Sequence, residues 1–199
     1  DQTFVFADLA GFTALTEAHG DEHAADLADE FSRAAGELLP EHGAEQIKTI
    51  GDALMLRVDD ARGAVKLGIR LTAELMADHG YPTIRVGMHT GPAIARSGDW
   101  FGAAVNLAAR ISGLAGGGEV LLTRATRVLA GEFEGVRFED RGHRRLRNVA
   151  EPVAVFAAIS EASTAQEPLI DPVCRMAVDP GQAAGTLSHE GREYHFCSL

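Results

Sequence analysis

Asp8 closes a short β-rich run, Thr3-Phe-Val-Phe-Ala7, and Asp52 opens another after the turn Gly51-Asp52. If the first and third strands are antiparallel neighbours, the end of one lies beside the start of the other. Carboxylates 44 residues apart then meet at one sheet edge. Paired carboxylates suit Mg²⁺, which takes few protein ligands and keeps positions for phosphate oxygens. Two such ions activate an attacking oxygen and stabilise a leaving one. Taken singly, each Asp also fits a structural role, in a Gly-Asp turn or as a helix cap.

Other residues extend this chemistry. Leu9-Ala10-Gly11-Phe12-Thr13 follows Asp8. A strand end, a glycine and a helix start make a phosphate cradle of free N–H groups at a positive dipole end. Asn106 and Arg110 lie four apart on an otherwise apolar helical segment and share a face. An Arg placed there neutralises charge on phosphorus in a displacement, or is a structural Arg paired to a carboxylate. His89 reads as a structural histidine at a strand end, and Trp100-Phe101 as packing or a pocket wall.

The elements that must position these residues follow from periodicity. Residues 3–7 read as a buried strand. Residues 22–39 carry Ala24, Leu27, Ala28, Phe31, Ala35, Leu38 and Leu39 at helical spacing, and Pro40 stops them. Residues 45–50 and 53–58 form a hairpin, and 61–77 a second amphipathic helix. Strands are expected at 83–89 and 92–96, paired around Thr90-Gly91. A helix over 102–112, a strand over 119–123, a helix over 124–130 and strands over 137–147 and 152–159 complete the domain. The opening β-α-β-β-α-β order predicts an α+β fold with a ferredoxin-like core and extra strands and helices. Residues 160–170, small and polar as far as Pro168, are expected to be a linker.

Composition bounds the function. The 199 residues are 46% hydrophobic and 24% charged, ordinary for a folded chain. No stretch approaches the roughly 20 apolar residues of a membrane span. Neither a signal peptide nor an initiator Met is present, so the chain is expected to be a cytoplasmic piece of a longer protein, with an anchor or sensor possible elsewhere. Residues 1–60 hold 14 acids and 3 bases and account for the whole net charge of −11. Such a chain is a poor partner for nucleic-acid backbone. A polyphosphate is different, because it arrives with a divalent cation that carboxylates hold. Arg141, Arg144, Arg145 and Arg147 read as the exposed face of a strand rather than a nucleic-acid patch. Of 18 basic residues only Lys48 and Lys66 are lysines, which hints at positions that Arg cannot serve.

Four segments together carry a resemblance. Phe6-Ala-Asp8-Leu-Ala-Gly11-Phe12-Thr13, Lys48-Thr-Ile-Gly51-Asp52-Ala, Gly87-Met-His89-Thr-Gly91 and Gly98-Asp99-Trp-Phe-Gly102-Ala-Ala-Val105-Asn106-Leu-Ala-Ala-Arg110 resemble the class III adenylate/guanylate cyclase catalytic domain. The likeness covers residues 1–159 and implies the nucleotide cyclase fold. It implies two Mg²⁺ or Mn²⁺ ions on Asp8 and Asp52, with the Leu9 carbonyl completing one shell. It implies phosphate on the amides of Gly11, Phe12 and Thr13, purine reading by Lys48 and Asp99, and ribose and transition-state roles for Asn106 and Arg110. Arg147 stands where the family usually has a Lys for the terminal phosphates, and Arg suits phosphate too.

Adenine offers an N1 acceptor and an N6 donor, which a Lys donor and an Asp acceptor match. Guanine-reading members carry Glu and a small residue there. The resemblance therefore implies adenylate cyclase, converting ATP to 3′,5′-cyclic AMP and pyrophosphate. A guanylate cyclase and a non-catalytic nucleotide-binding or dimerisation module are the alternatives. In the family one site draws residues from two domains. One chain carrying both sets implies a head-to-tail homodimer with shared sites.

Residues 171–199 resemble the start of a YHS domain, a small module associated with metal handling. Arg175 stands where that module usually has Gly, and the chain ends before a further cysteine. Cys174 and Cys197, with His189 or His195, are candidate ligands for a second metal site.

Overall fold

A computed structural model of the chain describes residues 1–75, 82–162, 169–179, 181 and 183–198. Strand β1 (Gln2–Leu9) enters a short helix α1 (Phe12–His19) and then α2 (Asp21–Leu38). The hairpin β2 (Ala44–Ile50) and β3 (Ala53–Val58), helix α3 (Ala61–Ala73) and strand β4 (Ile84–Gly91) follow. Next come β5 (Ile94–Arg96), β6 (Asp99–Phe101), α4 (Ala103–Ser112), β7 (Val120–Thr123), α5 (Arg124–Ala130), β8 (Val136–Arg144) and β9 (Val153–Ser160). The central sheet runs β2-β3-β1-β4-β7-β9-β8. Its first four strands have the ferredoxin-like order expected of the sequence, with β1 antiparallel to both β3 and β4.

Alternation along β1 separates two faces. Val5, Ala7 and Leu9 pack with Phe31 and Ala35 of α2 and with Ala64, Val65, Leu67 and Leu71 of α3. Phe4 and Phe6 pack with Met55, Ala104, Val105 and Ala108, so α4 covers the opposite face. Asp8 shares the parity of Phe4 and Phe6 and lies where that apolar strip ends. The α2 pattern works as its periodicity predicts, burying Ala24, Leu27, Phe31 and Ala35. Asp60 caps α3, its carboxylate accepting the N–H groups of Arg62 and Gly63 at 2.9 Å.

Three expectations change. Residues 92–96 do not pair back on β4, because both edges of β4 are taken by β1 and β7. Ile94–Arg96 instead forms a small hairpin with Asp99–Phe101, turning at Ser97-Gly98, both with positive φ. Strand β8 stops at Arg144, so Arg147 falls in an exposed turn before Asn148, at φ 58, rather than in a strand. The chain between Gly11 and Pro40 holds two helices, broken at Gly20 where φ is 89. Residues 76–77 of the expected helix 61–77 lie outside the described residues, as do 163–168 of the expected linker. None of the described helices is long and apolar enough to cross a membrane.

Beyond the sheet are the short pair β10 (Leu169–Ile170) and β11 (Ala177–Val178) and the hairpin β12 (Gly185–His189) and β13 (Arg192–Phe196). This C-terminal segment rests on the main domain. Thr83 donates its N–H to the Arg175 carbonyl at 3.2 Å, and Pro82 bridges to Met176.

Gly87 lets the end of α4 sit directly on β4, since a Cβ there would overlap the Ser112 backbone. Gly87→Ala is expected to cost about 3 kcal/mol or more, because backbone must move. Gly135→Ala, at φ +84 with nothing within 4 Å, is expected to cost only the left-handed penalty of about 1–2 kcal/mol. Urea unfolding of both variants checks this, and equal costs would contradict the close-approach account.

Candidate active site

The antiparallel register sets Asp8 opposite Ala53, the residue after Asp52. The two carboxyl groups meet as the sequence predicts. Burial and then the hydrogen bond and charge of Asp8 push the Asp52 carboxyl up to about 7. On its other side Asp8 faces Arg85 of β4. Arg85 donates from Nε to Asp8 Oδ2 at 2.7 Å and from Nη2 to the same oxygen. Arg85 was not singled out in the sequence. No sequence period links it to Asp8; the β1–β4 register alone places it there.

Leu9 is buried, and its strand continues past it, Ala10 donating to the Thr83 carbonyl at 2.7 Å. Gly11 turns the chain at φ 80 into α1, with no side-chain cap on the first amides. The amides of Phe12 and Thr13 thus open the helix without an intrahelical partner, the arrangement that receives an anion. Arg175 lies over this turn, because a Cβ on Gly11 would come within 2.5 Å of its Cγ. Arg175 itself adopts φ 66, which gives a physical reason for glycine at that position.

Lys48 and Asp99 are brought together. Lys48 Nζ donates to Asp99 Oδ2 at 2.5 Å, and the Trp100 N–H donates to Asp99 Oδ1 at 2.8 Å. Lys48 and then this N–H hold the Asp99 carboxyl below the usual range. Trp100 packs edge-on against Phe4 at 5.7 Å between ring centroids, anchoring the β5–β6 hairpin. Lys48 pairs across to Met55, which faces α4. The Lys–Asp pair therefore lies on the same sheet face as Asp8, two strands across and two residues along.

Asn106 is exposed and Arg110 half-buried on α4. Among the described residues Arg110 makes no ion pair, unlike a structural arginine. Arg147 is exposed in the turn before Asn148. Arg141 is held by Glu119 at 3.2 Å and Glu139 at 3.6 Å. His89 accepts or donates through Nδ1 to Thr123 Oγ1 at 2.7 Å, and burial lowers its pKa.

The C-terminal ligand set differs from the expected one. Cys174 and Cys197 lie with their sulfurs 3.2 Å apart, but the imidazole beside them is His19, not His189 or His195. His189 sits at the far end of the β12–β13 hairpin, opposite Arg192. That is five residues, roughly 17 Å, along the strand from Cys197. His195 pairs across to Thr186, and its Nδ1 is buried without a partner among the described residues. No signal linked His19 to cysteines more than 150 residues away. Burial and then Cys174 push the Cys197 thiol up to about 12. Burial raises the Asp171 carboxyl, but the N–H groups of Cys197, Val173 and Cys174 outweigh it and hold it low.

This fold and site define a nucleotide cyclase domain. The family described as the adenylate and guanylate cyclase catalytic domain matches residues 1–159, and the chain belongs to it. The pH-sensitive adenylate cyclase of Mycobacterium tuberculosis (strain CDC 1551 / Oshkosh) is 37% identical over 157 residues, covering 77% of this chain and 39% of that protein. An adenylate cyclase of Streptomyces griseus is 38% identical over 120 residues, 60% of this chain and 30% of that protein. The chain thus spans well under half the length of these curated relatives. In fold it is similar to an adenylate cyclase from Trypanosoma brucei in its monomeric state, with a TM-score of 0.74 at 22% identity over 89% of this chain and 93% of that one. It is also similar to an adenylyl cyclase from P. aeruginosa, with a TM-score of 0.70 at 22% identity over 83% and 96%.

The Arg85–Asp8 pair compensates two crowded carboxylates. In metal-free protein, Arg85→Met and Asp8→Asn are expected to be non-additive, with a coupling energy of about 0.5–3 kcal/mol. A double-mutant cycle by urea unfolding in chelator measures it. Additive effects would show that the pair carries no such energy.

Proposed function

We propose that this chain is the catalytic domain of an adenylate cyclase, turning ATP into 3′,5′-cyclic AMP and pyrophosphate. The observation that carries the reading is the convergence of Asp8 and Asp52 at the ends of the neighbouring strands β1 and β3, next to an uncapped helix start. The donor set is hard oxygen, which fits Mg²⁺ or Mn²⁺. Asp8, Asp52 and the Leu9 carbonyl would hold two divalent ions, and Arg85 would have to yield Asp8 Oδ2 to them. Such ions supply Lewis acidity toward phosphate oxygens and lower the pKa of a bound hydroxyl.

The chain's own residues do the rest. The Phe12 and Thr13 amides receive phosphate oxygens, with the positive end of α1 behind them. Lys48 donates to adenine N1 and Asp99 accepts from N6, and the two bond to one another in this structure. Asn106 orients the ribose, and Arg110, free of any described carboxylate, neutralises charge gathering on the α-phosphorus. Arg147, exposed in its turn, is assigned to the terminal phosphates. The Lys48–Asp99 pair favours ATP over GTP, which supports an adenylate rather than a guanylate cyclase. Retention of both Asp residues and Arg110 disfavours a non-catalytic module.

Head-to-tail homodimerisation with shared sites belongs to the same proposal. The hairpin carrying Asp99 exposes Ile94 and Phe101, and β2 exposes Ile50 at its end, which suits a surface that a second copy covers. A site built within one chain is the competing geometry, since both residue sets share one sheet face. Residues 171–199 are proposed as a YHS-like module; Ser160 ends β9, and Leu169 and Ile170, expected in the linker, form β10 and pair with β11, so the proposed linker shortens to 161–168.

Asp8→Ala and Asp52→Ala are each expected to cut cyclic AMP formation from MnATP at least about 100-fold, the scale of a lost transition-state stabiliser, with far-UV circular dichroism unchanged. Near-normal turnover, with product identified by mass, would remove the metal assignment. Lys48→Glu with Asp99→Cys is expected to shift preference towards GTP, read as the ratio of kcat/KM for the two nucleotides. An unmoved ratio would mean the base is read elsewhere. Mixing Asp52→Ala and Arg110→Ala chains is expected to restore activity, because one mixed dimer holds one intact shared site. No recovery in confirmed mixed dimers would favour the single-chain geometry.

A further inference from the structure

We propose that His19, Cys174 and Cys197 form a binding site for a thiophilic divalent cation of the zinc class, which clamps the C-terminal segment onto helix α1. The three groups come from the end of α1, the turn before β11 and the end of β13, and their ligand atoms all lie within 4.8 Å of one another. Thiolate and imidazole are the donors that Zn²⁺ takes, whereas Mg²⁺ takes oxygen. Zn–S bonds of about 2.3 Å and Zn–N bonds of about 2.0–2.1 Å in tetrahedral geometry place S and N about 3.6 Å apart and two sulfurs about 3.8 Å apart. Cys197 Sγ and His19 Nε2 are already 3.6 Å apart. The sulfurs, at 3.2 Å, need to open by about half an ångström. Three protein ligands leave a fourth position for water.

The surroundings are built for ligands. Asp171 is buried at 2% exposure and accepts N–H groups from both cysteine segments, Cys174 at 3.2 Å and Val173 at 2.7 Å on Oδ1, Cys197 at 2.8 Å on Oδ2. One carboxylate thus sets the spacing of two cysteines 23 residues apart in sequence. Such outer partners orient metal ligands. Leu15, Ala24, Leu27 and Met176 wall the site with apolar surface. A disulfide would account for the sulfurs but not for the imidazole beside them. The clamp has a second consequence. Residue 175 follows a ligand, and its side chain lies against Gly11 at the start of the same helix. An ion at the end of α1 therefore holds Arg175 over the proposed phosphate cradle.

The test uses the full 199-residue chain, reduced and stripped of metal, titrated with Co²⁺ as a coloured probe for Zn²⁺. The expected result is thiolate-to-cobalt charge-transfer absorption that Zn²⁺ abolishes and Mg²⁺ leaves intact. His19→Gln and Cys197→Ser are each expected to weaken uptake more than about 100-fold, and Asp171→Asn about 10–100-fold. His189→Gln is expected to leave it unchanged. Circular dichroism confirms that each variant is folded, and His19, at the domain surface, provides a substitution that leaves the core intact. No charge-transfer band in the reduced wild type overturns the proposal. So does a folded His19→Gln protein with wild-type affinity, because the cysteines would then bind without α1. None of these readouts depends on cyclase turnover, so the site and the proposed activity fail separately.

Discussion

Two carboxylates brought together at the ends of neighbouring strands are the constraint around which this molecule is arranged. The β1–β3 register brings Asp8 against Asp52, and partial burial keeps water from separating their charges. Like charges this close demand a compensating cation or a shared proton. The chain supplies one cation itself, Arg85, from the strand on the other side of Asp8. Arg85 thus occupies the Asp8 oxygen that the proposed divalent ions would need.

The second pair works by opposite logic. Lys48 and Asp99 attract one another and sit at the surface, so their mutual hydrogen bond is satisfied yet readily replaced. Asp99 is carried by a hairpin rather than the main sheet, and its position depends on Trp100 packing against Phe4. A polar pair mounted on an apolar anchor keeps its geometry while its charged tips stay only partly buried. The same hairpin presents Ile94 and Phe101 outward, so one small element carries both Asp99 and an exposed apolar surface.

Helix α1 links the two halves of the molecule. Its start lies beside Asp8, and its end stands beside Cys197. Leu15 packs with Cys174 and Met176, so the C-terminal segment and the main domain share an apolar seam along a helix of only eight residues. Any ligand that orders the end of this helix acts on its beginning too, because so short a helix moves as a unit.

Much of this was legible in the sequence, and the reasons are local. Alternation in β1 and the 3.6-residue pattern of α2 state which faces are buried, and the β-α-β-β-α-β order implies the neighbour relation of β1 and β3. The four motifs single out Asp8, Asp52, Lys48, Asp99, Asn106 and Arg110 without any knowledge of contacts. Tertiary structure alone decided the rest. Pairing of residues 94–96 with 99–101, rather than with β4, followed from β4 having both edges occupied. Arg85 met Asp8, and His19 replaced His189 and His195 beside the cysteines, because register and docking join residues that no sequence period connects. Periodicity reports which way a side chain faces; only the packed chain reports what stands opposite it.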